Sequence, residues 1–214
     1  YNRTAFILYV LARADELRPS HVNFIYEHRT SLSLYGKAYL AQAMYMLDKQ
    51  DERTLSLLSD LESATVLSAA GAHWEESARD YWNWNTDTRT TAIVLNAFTQ
   101  MDAANPVTAQ AVRWLMAHRD SGHWYTTQET AWSLIALTNW MTASDEYDTN
   151  YGYAVGLNGE MLDQGNATKE NLTDTVHLKV EMKDLLTEAA NYLVFTRGDG
   201  TGNLYYSAYL SAEL

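Results

Sequence analysis

Cysteine is missing from all 214 residues of this sequence. Its absence excludes disulfides, thiolate zinc sites, a cysteine nucleophile and an internal thioester built from these residues alone. Proline occurs only at positions 19 and 106, which both suit the first turn of a helix. Basic residues are scarce, with 15 Lys and Arg against 27 Asp and Glu and a net charge of −12. We therefore expect no nucleic-acid partner, because no basic run could follow a phosphate backbone.

Long apolar runs are missing as well. No stretch reaches the length of about eighteen apolar residues that marks a membrane-spanning helix, and no charged-then-apolar leader is present. We therefore expect no membrane contact from this segment. The six histidines show no His-x-x-x-His spacing, so we expect no metal site, and we expect no cofactor either.

Apolar and aromatic residues are abundant. Hydrophobic residues make up 47% of the sequence and charged residues only 20%, with seven Trp and fifteen Tyr. That composition predicts a folded core. The first residue is not Met, and the length suits one large or two modest domains, so we expect a piece of a longer protein.

Residues 1–148 show helical patterns. Residues 4–12 are apolar nearly all round, which is typical of an inner helix, whereas the more polar stretch after Pro19 predicts an outer helix. Asn105 and Pro106 form an N-cap followed by a proline that suits the first helical position. The patterns predict seven helices, near residues 2–14, 19–28, 31–48, 51–69, 86–102, 106–119 and 126–142.

The apolar helices share a repeat. A small residue is followed by apolar or small residues at +3, +5 and +6, and the four copies begin at Ala5, Ala38, Ala92 and Ala131. The copies start 33, 54 and 39 residues apart, which indicates an array or ring of helical hairpins. Because a hairpin array needs capping at both ends, an unpaired first and last helix predicts an incomplete ring.

Residues 149–214 show alternation instead. Apolar residues recur at every second position over 151–157 and 176–180, and apolar clusters of strand-forming residues follow over 192–195 and 204–210. Punctuation at 158–159, 165–166 and 198–200 predicts four or five antiparallel strands, with Leu178, Tyr192 and Val194 buried. The expected fold class is therefore α+β: a partial α/α toroid over 1–148, then an incomplete antiparallel β-sandwich over 149–214.

One enzymatic interpretation starts from the loop before residue 86. A ring of helical hairpins suits a carbohydrate-active enzyme, in which two carboxylates flank the sugar bond and aromatic rings stack on the sugar. Solvated acidic residues beside aromatics are the commoner explanation of such a loop. The candidate carboxylates are Glu75, Glu76, Asp80 and Asp87, and the candidate rings are Trp74, Trp82 and Trp84.

Three motifs carry a family resemblance. In chain order they are residues 85–92 (NTDTRTTA), 112–115 (VRWL) and 122–132 (GHWYTTQETAW). The Gly122-His123-Trp124 segment resembles the Gly-x-Trp loops of terpene cyclase and prenyltransferase barrels, where they staple one hairpin to the next. Together the motifs resemble the latter half of the thioester domain of the alpha-2-macroglobulin and complement family, bacterial branch. Residues 157–159 and 198–206 resemble the CUB-like or macroglobulin-type β-domain that follows it.

The resemblance implies a fragment of a broad-spectrum endopeptidase inhibitor. In that family a protease cuts a bait region, the molecule rearranges, and a Cys-Gln thioester captures the protease covalently. The resemblance places the Cys-x-Glu-Gln motif before residue 1, so this chain lacks both thioester and bait, and no catalytic residue transfers to it. The implied partners are proteases and other domains of the parent chain. The implied location is periplasmic or extracellular, with anchoring through other parts of the parent left open.

The resemblance also suggests which surface faces the thioester. The family's thioester motif precedes an inner helix, and inner helices of a toroid run parallel, so their N-termini gather at one end. The residues that precede or begin two such helices here are therefore candidates for the thioester face. The alternative explanation of these residues is that Asp87 and Thr127 simply cap their helices. For the function of the whole chain, a non-catalytic interaction scaffold is the third possibility, beside the protease trap and the carbohydrate-active enzyme. The candidates are Thr86, Asp87, Thr88, Arg89, Tyr125, Thr126, Thr127, Gln128 and Glu129.

Overall fold

A computed structural model describes residues 1–78, 80–144, 146–172, 174–206 and 208–210. The chain is a mixed α+β protein that divides into two compact units, residues 1–144 and 145–214. The predicted boundary at 148 lies four residues later in the chain. The described residues form seven α-helices and two small antiparallel sheets.

All seven predicted helices are confirmed. The helices are α1 (Asn2–Arg13), α2 (Pro19–Glu27), α3 (Leu34–Leu47), α4 (Arg53–Ser63), α5 (Asp87–Met101), α6 (Pro106–Ala117) and α7 (Thr127–Ala143). The prediction that the fourth helix continues to residue 69 is wrong, because α4 ends at Ser63 and a short hairpin follows. That hairpin pairs β1 (Val66–Ser68) with β2 (Gly71–His73). Gly71 has a φ of 133°, and a Cβ there would collide with the backbone oxygen of Gln110.

The helices alternate between an inner and an outer position. Helices α1, α3, α5 and α7 contact one another in that order, while α2, α4 and α6 lie against them. Residues 89–99 of α5 are all buried, as expected for a helix surrounded by neighbours. The outer helix α2 buries only Val22 and Ile25, and α4 buries one stripe of four residues. Helices α3 and α5 are therefore central, whereas α1, which the sequence predicts to be an inner helix, buries only Ala5, Leu8 and Tyr9.

A buried amide cluster joins three inner helices. The side chain of Asn96 on α5 donates to Gln42 on α3 at 2.7 Å and accepts from Asn139 on α7 at 2.7 Å. Gln42 in turn donates to the carbonyl oxygens of Ala38 and Ile93. Gln42 and Asn96 are completely buried. Each amide therefore depends on its partners, because a buried amide without a hydrogen bond costs about 1–3 kcal/mol.

The second unit contains one three-stranded antiparallel sheet. Its strands are β3 (Asn150–Leu157), β4 (Glu160–Thr168) and β5 (Leu193–Thr201), in the order β4-β3-β5. The predicted turn at Asn158-Gly159 joins β3 to β4, with both residues at positive φ. The other two predicted turns are wrong, since Gly165 pairs with Tyr153 inside β4 and residues 198–200 lie inside β5.

Two more predictions for this unit are wrong. Residues 176–180 are not a strand although they alternate in sequence, and the predicted strand residues 204–206 and 208–210 are not in a strand either. Leu178, Tyr192 and Val194 are 45%, 69% and 53% exposed rather than buried. Alternation marks a strand with two different faces, but burial needs a second layer against one face. The described residues of this unit provide only the one sheet, and among its apolar residues only Tyr151 and Val155 are buried.

Candidate functional site at the N-termini of the inner helices

The four inner helices begin at the same end of the helical unit. Asn2, the first residue of α1, accepts a hydrogen bond from the backbone of Ser33, the N-cap of α3, at 2.9 Å. Glu76 bridges the starts of α3 and α5 through hydrogen bonds to Tyr35 and Thr90. We call this end of the unit the N-terminal face.

Helix α7 runs in the same direction. The ring of Trp132, in its second turn, lies 5.3 Å from the ring of Tyr39, in the second turn of α3. Further along, Asn139 bonds to Asn96 of α5. Since α3 and α5 are parallel, this pair of contacts makes α7 parallel to both. Residues 86–89 and 125–129 therefore both lie at the N-terminal face.

Threonines cap the two helices that carry the candidate residues. Thr86 accepts a hydrogen bond from the backbone of Arg89 at the start of α5. The Thr126 hydroxyl accepts a hydrogen bond from the backbone N–H of Glu129. The Glu129 carboxylate in turn accepts one from the backbone N–H of Thr126 at 2.9 Å, and the two bonds form a capping box. The predicted caps Asp87 and Thr127 each lie one residue too late, since both are already the first helical residue.

The candidate residues differ sharply in exposure. Arg89 and Glu129 are buried, with 7% and 5% of their surface exposed. Tyr125 is 95% exposed. The other exposed candidates, which are free to meet another molecule at this face, are Asp87, Thr127 and Gln128.

The four carboxylates of the glycosidase interpretation hold the protein's own groups. Glu76 accepts from the backbones of Leu34 and Tyr35 at 3.1 Å each, and Asp87 accepts from the backbone of Glu76 at 3.0 Å. Asp80 accepts from the Tyr35 hydroxyl at 2.6 Å. These contacts stabilise the loop and the helix starts, so they disfavour a free acid and base pair.

The fourth candidate carboxylate, Glu75, and the candidate ring Trp74 also contact the protein's own groups. Glu75 lies 2.9 Å from Nε2 of His73. Trp74 is completely buried and its indole N–H donates to the carbonyl of Leu61 at 2.7 Å, so it cannot stack on a sugar. Trp82 and Trp84 are 89% and 78% exposed, so these two of the three candidate tryptophans remain accessible.

The pKa of Asp80 reflects its position. Burial alone would raise the pKa of this carboxyl, but hydrogen bonds from the Tyr35 hydroxyl and from Asn83 lower it below its ordinary value. Burial raises the pKa of Tyr35 and of Tyr39, and the positive charge of Arg89 offsets only part of that increase. Both phenols are therefore neutral at physiological pH.

A surface cavity of about 660 Å³ opens beside the start of α5. Thr86, Asp87 and Thr88 line it, whereas residues 125–129 do not. It is also lined by a stack in which the Trp114 ring lies 4.6 Å from the His73 ring and 3.7 Å from the His118 ring. This stack was missed at the sequence level because its residues come from β2 and α6, which no local pattern relates.

The described residues carry neither a metal-binding cluster nor a membrane-spanning helix. No group of three or more His, Asp or Glu side chains is placed to hold a metal ion. No helix in the described part of the chain combines the length and the apolar character needed to cross a bilayer.

Comparison with known proteins gives no assignment: neither a family model nor a curated protein matches this sequence.

Proposed function

We propose that this chain is part of a broad-spectrum protease trap of the alpha-2-macroglobulin and complement class. In this proposal the helical unit is the latter part of an α/α toroid whose thioester is contributed by a preceding segment, and the β unit belongs to the following β-sandwich domain. Such a trap acts outside the cytoplasm, in the periplasm or beyond the cell. Its partners are the proteases it captures and the other domains of its parent.

One observation carries the ring proposal. The repeat positions are completely buried in the central helices, as at Ala41 of α3 and Leu95 of α5. In the terminal helices only some of the repeat positions are buried: Ala5 and Leu8 of α1 and Ala136 of α7 are buried, whereas Val10 of α1 is 46% exposed and Leu134 of α7 is 53% exposed. When the first and last copies of a repeat present apolar residues to water, each of these two copies lacks a neighbouring copy on its outer side. This supports a ring that further helical hairpins complete.

The neighbouring residues extend both terminal faces. On α1, Phe6 and Ile7 are 37% and 48% exposed, one turn before Val10. On α7, Ile135 is 40% exposed beside Leu134. Phe6, Ile7 and Val10 follow helical spacing, so α1 presents an apolar stripe suited to another helix, and α7 presents the exposed pair Leu134 and Ile135.

The N-terminal face supports the proposed position of the thioester. Four helix starts lie there, and each directs the positive end of its dipole and its free backbone N–H groups toward that end. Such an environment stabilises the negative charge that develops when a thioester carbonyl is attacked. Gln128 is the best probe of this face because it is exposed and precedes the buried part of α7.

The experiment uses the natural full-length protein and methylamine, a small nucleophile that opens thioesters. We expect Gln128→Ala to change the rate of thiol release by about threefold or more, since a residue facing the carbonyl alters transition-state stabilisation. Thr142→Ala, exposed near the opposite end of α7, is the matched control and should leave the rate unchanged. Equal rates for wild type and Gln128→Ala, at equal stability, would remove residues 125–129 from the thioester face.

A further inference from the structure

The longest stretch without a helix or strand in the described part of the chain leads into β5. It runs from residue 174 to residue 192, and only one 3₁₀ turn, Met182–Asp184, interrupts it. The side chains of residues 174–179 are all exposed. The backbone of residues 175–180 makes no hydrogen bond to another described residue. Such segments are the usual sites of proteolysis, because a protease binds the backbone of its substrate only where it is open.

Lys179 lies in this open segment. Its side chain is 85% exposed, and so exposed an ion pair as the one it forms with Glu181 at 3.0 Å holds a lysine only weakly. Lys183 lies in the 3₁₀ turn, which would have to open before a protease could bind it. Proteases of the trypsin type select a basic side chain with a carboxylate in their specificity pocket. Lys179 is therefore the more accessible of the two lysines to such an enzyme.

Other described basic residues are less suited to cleavage. Most of them lie in helices or strands, and the loops that carry the rest are short or tied. Arg18 precedes a proline, which has no backbone N–H group, and Lys49 lies in the short turn between α3 and α4. Arg119 directly precedes a β-bridge. Lys169 lies in a turn that the Asn171 side chain closes with hydrogen bonds to the backbone on both sides.

The part of the chain after Lys179 has its own contacts with the rest of the second unit. Strand β5 pairs with β3 from its first residue to its last. The Tyr151 hydroxyl donates to the backbone oxygen of Asn203 at 2.9 Å, and the guanidinium carbon of Arg197 lies 4.9 Å from the centre of the Tyr151 ring. Asn158 and Tyr192 are joined by two further hydrogen bonds, of 3.0 and 2.9 Å. These contacts do not require an intact chain between β4 and β5.

We propose that residues 175–180 form a processing site for proteases that cut after basic residues, and that Lys179–Val180 is the bond they cut. Hydrolysis breaks the bond between the carbonyl carbon of Lys179 and the nitrogen of Val180. Water supplies the hydroxyl group of the new carboxyl end and a hydrogen atom of the new amino end. The products, residues 1–179 and 180–214, stay associated through β3 and β5. The segment acts here as a substrate, so the site stands whether or not the helical unit belongs to a protease trap.

The first test treats the 214-residue chain with a small amount of trypsin and follows the fragments by mass spectrometry. We expect cleavage after Lys179 to be at least about tenfold faster than after any other residue. Lys179→Gln should remove this cut and Lys179→Arg should retain it, and both variants should fold because the side chain is exposed. Lys169→Gln, which removes the exposed lysine of the neighbouring turn, is the matched control and should leave the rate of the cut unchanged.

The second test follows the cut protein by size-exclusion chromatography without denaturant. We expect residues 180–214 to elute together with residues 1–179, and to separate from them only when urea is added. A first cut after any residue other than Lys179 would overturn the proposed site. A 180–214 fragment that elutes alone without urea would overturn the proposed association through β3 and β5.

Discussion

Glu76 is the residue on which the N-terminal face most depends. One carboxylate accepts backbone N–H groups from Leu34 and Tyr35 and the hydroxyl of Thr90, while its own backbone donates to Asp87. It therefore fixes the starts of two inner helices that are more than fifty residues apart in sequence. Nothing in the local sequence indicates this role, because Glu76 precedes neither helix directly.

We expect Glu76→Gln to lower the free energy of unfolding by about 1–3 kcal/mol, because hydrogen bonds to a charged acceptor become weaker neutral ones. Urea denaturation followed by far-UV circular dichroism measures the change. Glu27→Gln, an exposed carboxylate with no hydrogen bond among the described residues, should stay within about 0.5 kcal/mol of wild type. If both variants lost a similar amount of unfolding free energy, Glu76 would contribute to stability only through its negative charge and not through its hydrogen bonds.

Asp80 makes stability depend on pH. Its pKa is lower in the folded protein than the ordinary value of about 3.9, so its contribution is present above that value and is lost as pH falls through the folded pKa. We expect Asp80→Asn to have a lower Tm than wild type at pH 7, with the difference shrinking below about pH 4. A difference that stays constant from pH 7 to pH 3 would show that Asp80 acts only through its shape.

At the scale of elements, the helices were predictable because their patterns are long. Seven helices and the inner and outer alternation follow from periodicity over twelve or more residues in most cases. The short hairpin after α4 was not predicted, because three-residue strands leave no periodic signal. In the second unit, alternation correctly located β3 and the start of β5 but overstated burial, since exposure depends on layers that local sequence does not encode.

The candidate site shows the same limit. Sequence patterns located the starts of α5 and α7 to within one residue, but they predicted Asp87 and Thr127 as caps where Thr86 and Thr126 are the N-caps. The burial of Arg89 and the stacking of His73 on Trp114 arise from contacts between distant segments. Only the folded arrangement brings those segments together.

Helix register rests on the buried amide cluster. Asn96 both donates to Gln42 and accepts from Asn139, so replacing it removes two hydrogen bonds. The buried Gln42 keeps a bond from Gln100, while the half-buried Asn139 loses its acceptor in Asn96. We expect Asn96→Leu to lower the unfolding free energy by about 2–4 kcal/mol and to lose cooperativity. Thermal unfolding by calorimetry measures both. The exposed helix variant Thr138→Leu is the control, and a stability equal to wild type for Asn96→Leu would show that packing alone sets the register.

At the scale of the whole molecule, the proposed trap needs parts that this chain does not contain. It has no cysteine to form a thioester, and the proposal places the bait region elsewhere. We therefore expect the 214-residue chain to leave the activity of trypsin, elastase and subtilisin on a protein substrate unchanged at tenfold molar excess. Residual protease activity below about half of the control would contradict this division of roles.

The exposed apolar residues on α1 and α7 give the proposal a second consequence at this scale. If further hairpins cover them in the parent, then hydrogen exchange in α1 and α7 should slow in the parent relative to the isolated chain, while α3 and α5 change little. Mass spectrometry of backbone exchange measures this comparison. Equal exchange of α1 and α7 in both proteins would mean that nothing covers these helices.

The central claim is that these helices complete a thioester-containing ring. Sequencing the natural gene upstream of the codon for Tyr1 tests it most directly. The account predicts a Cys-x-Glu-Gln motif about one hundred residues before Tyr1, the length of two or three further helical hairpins. An open reading frame that extends through that region without the motif, or that starts at Tyr1 itself, would contradict it.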